Sequence, residues 1–295
     1  MQFYRKILLT LGLLFCSAII FAQDSQTDDP ATNYKAALAL VDAGKGPEGI
    51  PYLEKVLKTE STYTNAAYSL LGSIYDKNNQ PEKAIAIYKD GLKAYPKDQN
   101  LYFNLGIADF RAKLYADAEL AAIEAIKLDP KHANSQRLYG LVTFHQNKRL
   151  NALMAFCSFL LLEPNGSKSD EAITNLQSIL KGGVIKGEKP VTGKAKSAGE
   201  KDKEFYNFCI TVAITKGQQQ NLTGTTLLEY ELKSIFLSAA KMDINPKKDF
   251  FYTFYVDFFY KLSQSGNVPA LAKLIANKDV DAKLIDWVKG AERGF

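Results

Sequence analysis

Residues of the same kind return in this chain at intervals of 34. Pro96, Pro130 and Pro164 are spaced so, as are Gly72, Gly106 and Gly140, and Ala84, Ala118 and Ala152. Pro47 and Pro81 keep the same interval. A period of that length is one supersecondary unit. Such a unit cannot bury its apolar face alone and must stack on its neighbours. The register divides residues 31–166 into four units, 31–64, 65–98, 99–132 and 133–166. The second states the pattern most fully. Tyr68, Leu71 and Tyr75 fall on one face at helical spacing, and Gly72 lets a neighbouring helix approach closely. Asn78–Pro81 breaks the helix, Ala84 and Tyr88 belong to a second one, and Pro96 stops it.

This pattern resembles the tetratricopeptide repeat, a helix–turn–helix unit. The third unit carries Tyr102, Leu105, Gly106, Ala118, Ala125 and Pro130, and the fourth carries Tyr139, Gly140, Ala152, Phe156 and Pro164. The first departs from it, with Leu38 at the glycine position and Pro51 expected inside its second helix. An atypical end unit is ordinary in a stacked array. The resemblance implies an all-α fold, a right-handed superhelix or α-solenoid, here followed by a small helical C-terminal domain.

It also implies a concave groove lined by the first helix of each repeat. The matching positions are Asn100, Phe103, Asn104, Ile107, Phe110 and Arg111 in the third repeat. In the fourth they are Asn134, Arg137, Leu138, Leu141, Phe144 and His145. Ala66, Ser69, Leu70, Ser73, Asp76 and Lys77 are their counterparts in the second. Amides and arginines among phenylalanines suit a peptide whose backbone is held while apolar side chains fill pockets. Either such a partner or the chain's own C-terminal helices can cover these rings. The family's clamp for a terminal carboxylate is absent: Lys35 fits, but Ala39, Leu70, Asn100 and Asn104 replace its other residues.

The chain opens with Arg5 and Lys6, an uncharged run from Ile7 to Phe21, then Ala22–Gln23. That order fits a secretory signal peptide over 1–22, with a short tail over 23–30. Ile20 is large for its place before the cut, which leaves an uncleaved anchor as the alternative. Phe15 before Cys16 argues against lipidation. The expected location is the periplasm or cell envelope of a Gram-negative bacterium. Without Arg5 and Lys6, 35 basic residues face 32 acidic ones, a net charge of +3. Lys181–Lys203 holds seven lysines against Glu188, Glu200 and Asp202, so the basic excess is local. A broad cationic face for nucleic acid is not expected. Cys157 and Cys209 sit among apolar neighbours and read as buried thiols.

Residues 167–181 read as a capping helix with Ser169 as N-cap, and residues 182–203 as a Lys/Gly-rich linker. Gly187 to Gly193–Lys194 is one residue too long for a phosphate-binding loop, and Ala195 replaces its hydroxyl residue. Residues 204–295 form an aromatic-rich helical domain, with helices expected near 204–215, 225–242, 248–263, 268–277 and 281–291. Thr211, Val212, Ile214 and Thr215 would also suit a strand. Eight of the eleven residues in Phe250–Tyr260 are aromatic, which reads first as a central core helix and otherwise as an exposed binding patch.

Chemistry finds little footing. His132 and His145 are thirteen residues apart and make no metal-binding pair, so both read as solvated surface residues, as do Asp76 and Asp109. No catalytic residue, metal or cofactor is expected. The favoured function is a non-enzymatic interaction module whose partner is a protein or peptide, not nucleic acid. Membrane contact is not required after signal cleavage, though the aromatic C-terminal region offers one. The alternative is a C-terminal domain with enzymatic or membrane-surface activity and the repeats as its scaffold.

Overall fold

The computed structural model describes residues 29–182, 198–241 and 249–291. The signal-peptide assignment and residues 183–197 of the expected linker lie outside them. Among the described residues every regular element is helical, and none is long and apolar enough to cross a membrane. The fold is an all-α solenoid of helical hairpins, and the chain divides into two compact units, residues 1–91 and 92–295.

The first unit contains α1 (Pro30–Asp42), a 3-10 turn (Gly46–Gly49), α2 (Ile50–Val56) and α3 (Thr64–Lys77), with most of α4 (Pro81–Ala94). Pro30 already stands in the first turn of α1, capped by Asp29, whose carboxylate accepts from Thr32 N–H at 2.9 Å, so the N-terminal tail ends earlier than expected. Pro51 does not interrupt a helix. It opens α2, where its missing N–H costs nothing. The first repeat replaces the usual glycine with a different close approach: a Cβ on Gly49 would lie 3.2 Å from the carbonyl oxygen of Ala37. In the second repeat the glycine acts where expected, since a Cβ on Gly72 would lie 2.3 Å from the Tyr88 ring.

The second unit begins with α5 (Gln99–Arg111), α6 (Tyr115–Leu128), α7 (Ala133–His145) and α8 (Arg149–Leu162), the hairpins of the third and fourth repeats. Between the helices of repeats two, three and four, Asn79, Lys113 and Asn147 take positive φ of 56°, 61° and 56°. Each closes the preceding helix by the same bonds, as where Leu114 N–H reaches Asp109 O at 2.9 Å. The turn thus repeats at intervals of 34 although the residue does not.

After the repeats come α9 (Ser167–Leu180), α10 (Ala198–Gln219), α11 (Gly224–Ala240), a π-helical turn (Tyr252–Val256), α12 (Asp257–Gln264), α13 (Val268–Asn277) and α14 (Ala282–Gly290). Ser169 is not the cap of α9, which starts two residues earlier. It is buried, and its hydroxyl donates to Glu163 O at 2.7 Å. Residues 198–203 belong to α10 rather than to a linker, and Thr211–Thr215 are helical rather than extended. Threonine hydroxyls there turn back on the helix, with Thr215 Oγ1 donating to Thr211 O at 2.9 Å.

Helix α8 organises this unit. Leu150 and the run from Ala152 to Leu161 are buried, leaving no polar face. Helices α7, α9, α10 and α13 and the π-turn all pack on it. The aromatic run enters the same core: Phe251, Phe254, Tyr255, Phe258 and Phe259 are buried, and only Tyr260 of the run is exposed. Tyr255 stacks on Tyr139 with centroids 5.4 Å apart, and its hydroxyl donates to Gln136 Oε1 at 2.5 Å. The run is therefore core and offers little to a membrane. Cys157 and Cys209 are buried free thiols.

Gly140 carries the contact between α7 and α8, because a Cβ there would sit 2.8 Å from the Phe156 ring. Gly140→Ala is expected to destabilise the chain by about 1–3 kcal/mol. Urea unfolding followed by circular dichroism checks this, with Gly290→Ala as the control, since nothing lies within 4 Å of a Cβ at Gly290.

Candidate interaction face

Helices α5 and α7 pack side by side and carry the ten residues assigned to the groove. Asn100 and Arg111 are exposed. Phe103, Asn104, Ile107, Phe110, Asn134, Arg137, Leu141 and Phe144 are half-buried. Leu138, expected beside them, is buried instead: it fills the space over Gly106, where a Cβ would meet its Cδ2 at 2.9 Å.

The rings of this face find partners within their own two repeats. Phe103 meets His132 edge-on at 5.0 Å, Phe110 meets Tyr115 at 5.7 Å and His145 at 5.1 Å, and Phe144 meets Phe156 at 6.5 Å. His145 also stacks on Tyr115 at 5.1 Å. Both histidines were expected in solvent, but both are half-buried pins between helices. The Gln99 amide nitrogen lies 2.8 Å from His132 Nδ1 and can only donate, so Nδ1 accepts and Nε2 holds the proton of the neutral ring. Burial pushes the His132 pKa down, Asp129 opposes the shift and Lys168 adds to it. Asp109 is likewise buried rather than solvated.

A contribution missed in the sequence comes from α9. Lys168 Nζ donates to Asn134 Oδ1 at 2.9 Å, and Arg137 pairs with Glu171 through Nη2. Each pair spans 34 residues, so α9 sits beside α7 as the first helix of a fifth repeat would. Ser167 follows Ala133 by one more period, but Thr174 stands where the next signature glycine would fall, so the residues do not announce the fifth unit.

Elsewhere, among the described residues, no group of three or more His, Cys, Asp or Glu could hold a metal ion. A cavity of about 480 Å³ lies in the second unit against Leu161, Leu162, Ile285 and Val288. Its ionisable lining is Asp129, Lys131 and Lys289, without a serine, cysteine or histidine as nucleophile or base. Burial drives the thiol of Cys157 and the hydroxyl of Tyr139 further from ionisation.

The tetratricopeptide-repeat family model matches residues 34–99 and 70–133. The chain carries tetratricopeptide repeats. Among characterised proteins, the protein O-mannosyl-transferase tmtc2 of Xenopus laevis is 31% identical over 84 residues. That match takes in 28% of this chain and 10% of the relative, so the chain spans about a tenth of that protein's length. Two solved structures are similar. MamA 41-end from Desulfovibrio magneticus RS-1 is 23% identical with a TM-score of 0.43, over 47% of this chain and 77% of that one. A tetratricopeptide repeat protein from Parabacteroides merdae ATCC 43184 is 14% identical with a TM-score of 0.46, over 87% of this chain and 96% of that one. Repeats of this family support a protein–protein interaction scaffold.

Glu231 on α11 is buried, and that burial raises its pKa above the ordinary 4.5. A carboxyl whose folded pKa is raised stabilises the fold below its unfolded pKa, and this contribution is lost as pH rises through the folded value. Glu231→Gln should therefore be more stable than wild type at neutral pH and should lose that advantage near pH 4. Thermal unfolding across that range checks it.

Proposed function

We propose that the face made by α5 and α7 binds a segment of another protein, and that the chain does so in the cell envelope after export. The observation that carries the reading is the row of Phe103, Ile107, Phe110, Leu141 and Phe144, half-buried and flanked by Asn100, Asn104, Arg111 and Arg137. Apolar surface of this kind beside amides and guanidinium groups can bury a partner's side chains while holding its backbone. Asn104, Phe110, Arg111, Arg137, Leu141 and Phe144 are the residues expected to contribute most. The aromatic run of the C-terminal region is spent inside the protein, which weighs against a membrane surface there. The envelope assignment rests on the N-terminal sequence alone: two cations, then an uncharged apolar run.

Tagged chain without residues 1–22, wild type beside Phe110→Ala/Phe144→Ala, tests the reading. Both are verified as folded by circular dichroism, used to capture envelope extract, and compared by mass spectrometry. A protein retained by wild type and lost from the folded double variant is expected. Equal retention would move the search to residues 204–295.

A further inference from the structure

We infer that the cavity between the end of α8 and α14 binds a single-chain amphiphile, an aliphatic tail carrying an anionic head. This goes beyond the reading of the α5–α7 face and does not depend on it. The cavity's volume of about 480 Å³ is that of a small-molecule site, for which about 300–1,000 Å³ is usual. Its apolar wall is aliphatic. Leu161 and Leu162 come from the last turn of α8, and Ile285 and Val288 lie one turn apart on α14. Among the described residues no aromatic ring lines it, so a flat ligand finds nothing to stack on, while a hydrocarbon chain meets methyl groups throughout. Gly290 adds no side chain to the wall: nothing lies within 4 Å of a Cβ there, so the end of α14 leaves the cavity open.

The head group is read from the ionisable residues of the same lining. Lys131 and Lys289 bring two ammonium groups against the one carboxylate of Asp129, which leaves the lining a net charge of +1. Asp129 accepts from Lys131 N–H at 2.9 Å, a bond that fixes the loop and leaves the carboxylate its charge. Asp286 stands outside the lining, 3.8 Å from the Lys289 ammonium. The two side chains are 77% and 72% exposed, so that pair is worth little and an incoming anion can compete for the lysine. Burial of the tail then supplies most of the affinity, and the lysines select the head. Trp287, the chain's one tryptophan, precedes Val288 and packs on Phe258 at 5.5 Å. It lines a neighbouring hollow that shares Gly290 and Ala291 with the cavity, which places a fluorophore beside the site.

The test titrates the full chain with decanoate and with decanol, by calorimetry and by the emission of Trp287. Wild type should bind both, decanoate about two- to fivefold more tightly, the scale of an exposed ion pair. Decanoate should also change the Trp287 emission. Lys131→Gln/Lys289→Gln, at two exposed positions, should keep the binding of decanol and lose the preference for decanoate. Gly290→Phe puts a ring into the open space and should abolish binding of both. Gly290→Leu does the same with a smaller side chain and covers the case in which Gly290→Phe misfolds. The decanoyl lysophospholipid with a phosphoglycerol head separates a free acid from a membrane-derived chain: whichever of it and decanoate binds more tightly names the source. A wild type that binds no decanoate overturns the inference. So does equal affinity for decanoate and decanol, a preference that survives without both lysines, or binding that persists in the folded Gly290 variants.

Discussion

Helix α8 cannot be left in water. Its sequence from Leu150 to Leu161 is apolar around the whole circumference except for Asn151 and Ser158, and all but Asn151 of these are buried. An ordinary second helix of a repeat buries one face on its partner and leaves the other to solvent, as α6 does with Leu120 63% exposed. At about 1.5–3 kcal/mol for each large side chain, exposing the outer face of α8 would cost more than a domain's whole net stability. The region after the repeats answers that requirement. Helices α10 and α13 and the π-turn cover α8, and the aromatic run supplies the bulk.

That arrangement has a consequence for binding. The largest rings of the C-terminal region are committed to Tyr139, Phe236 and one another, on the side served by α8. The rings on α5 and α7 at Phe103, Phe110 and Phe144 have their partners among His132, Tyr115, His145 and Phe156 instead. The rings on α5 and α7 thus edge a surface while packing against the same hydrophobic cluster that the aromatic run fills. Polar ties set the geometry between repeats: Gln99 to Ser135 at 3.1 Å, Lys148 to Glu119 at 2.5 Å, and Arg137 to Glu171.

What could be read from sequence alone was whatever depends on a fixed spacing. Gly72 and Gly140 announce themselves because a ring, Tyr88 or Phe156, occupies the space of their missing Cβ, and no other residue fits. Side-chain choices made by the backbone were harder to see. Lys113 fills a left-handed turn position held by Asn in the neighbouring repeats, and nothing in its chemistry signals that. Pro51 departs from the expected pattern because the second helix of the first repeat starts late, after a 3-10 turn. His132 and His145 looked solvated because their ring partners lie in other elements, at distances the one-dimensional pattern does not encode. The groove residues came from the repeat register, but Leu138 was displaced from them by its packing on Gly106. The extension of the face by α9 needed the contacts of Lys168 and Glu171 before it was evident.

Hydrogen–deuterium exchange on the intact chain tests most directly whether α8 and the aromatic run form one core. The account predicts that amides of residues 150–161 and 251–262 fall together in the slowest class and open with the same free energy. Protection of α8 at the level of α5 and α6, with residues 251–262 opening separately, would contradict it.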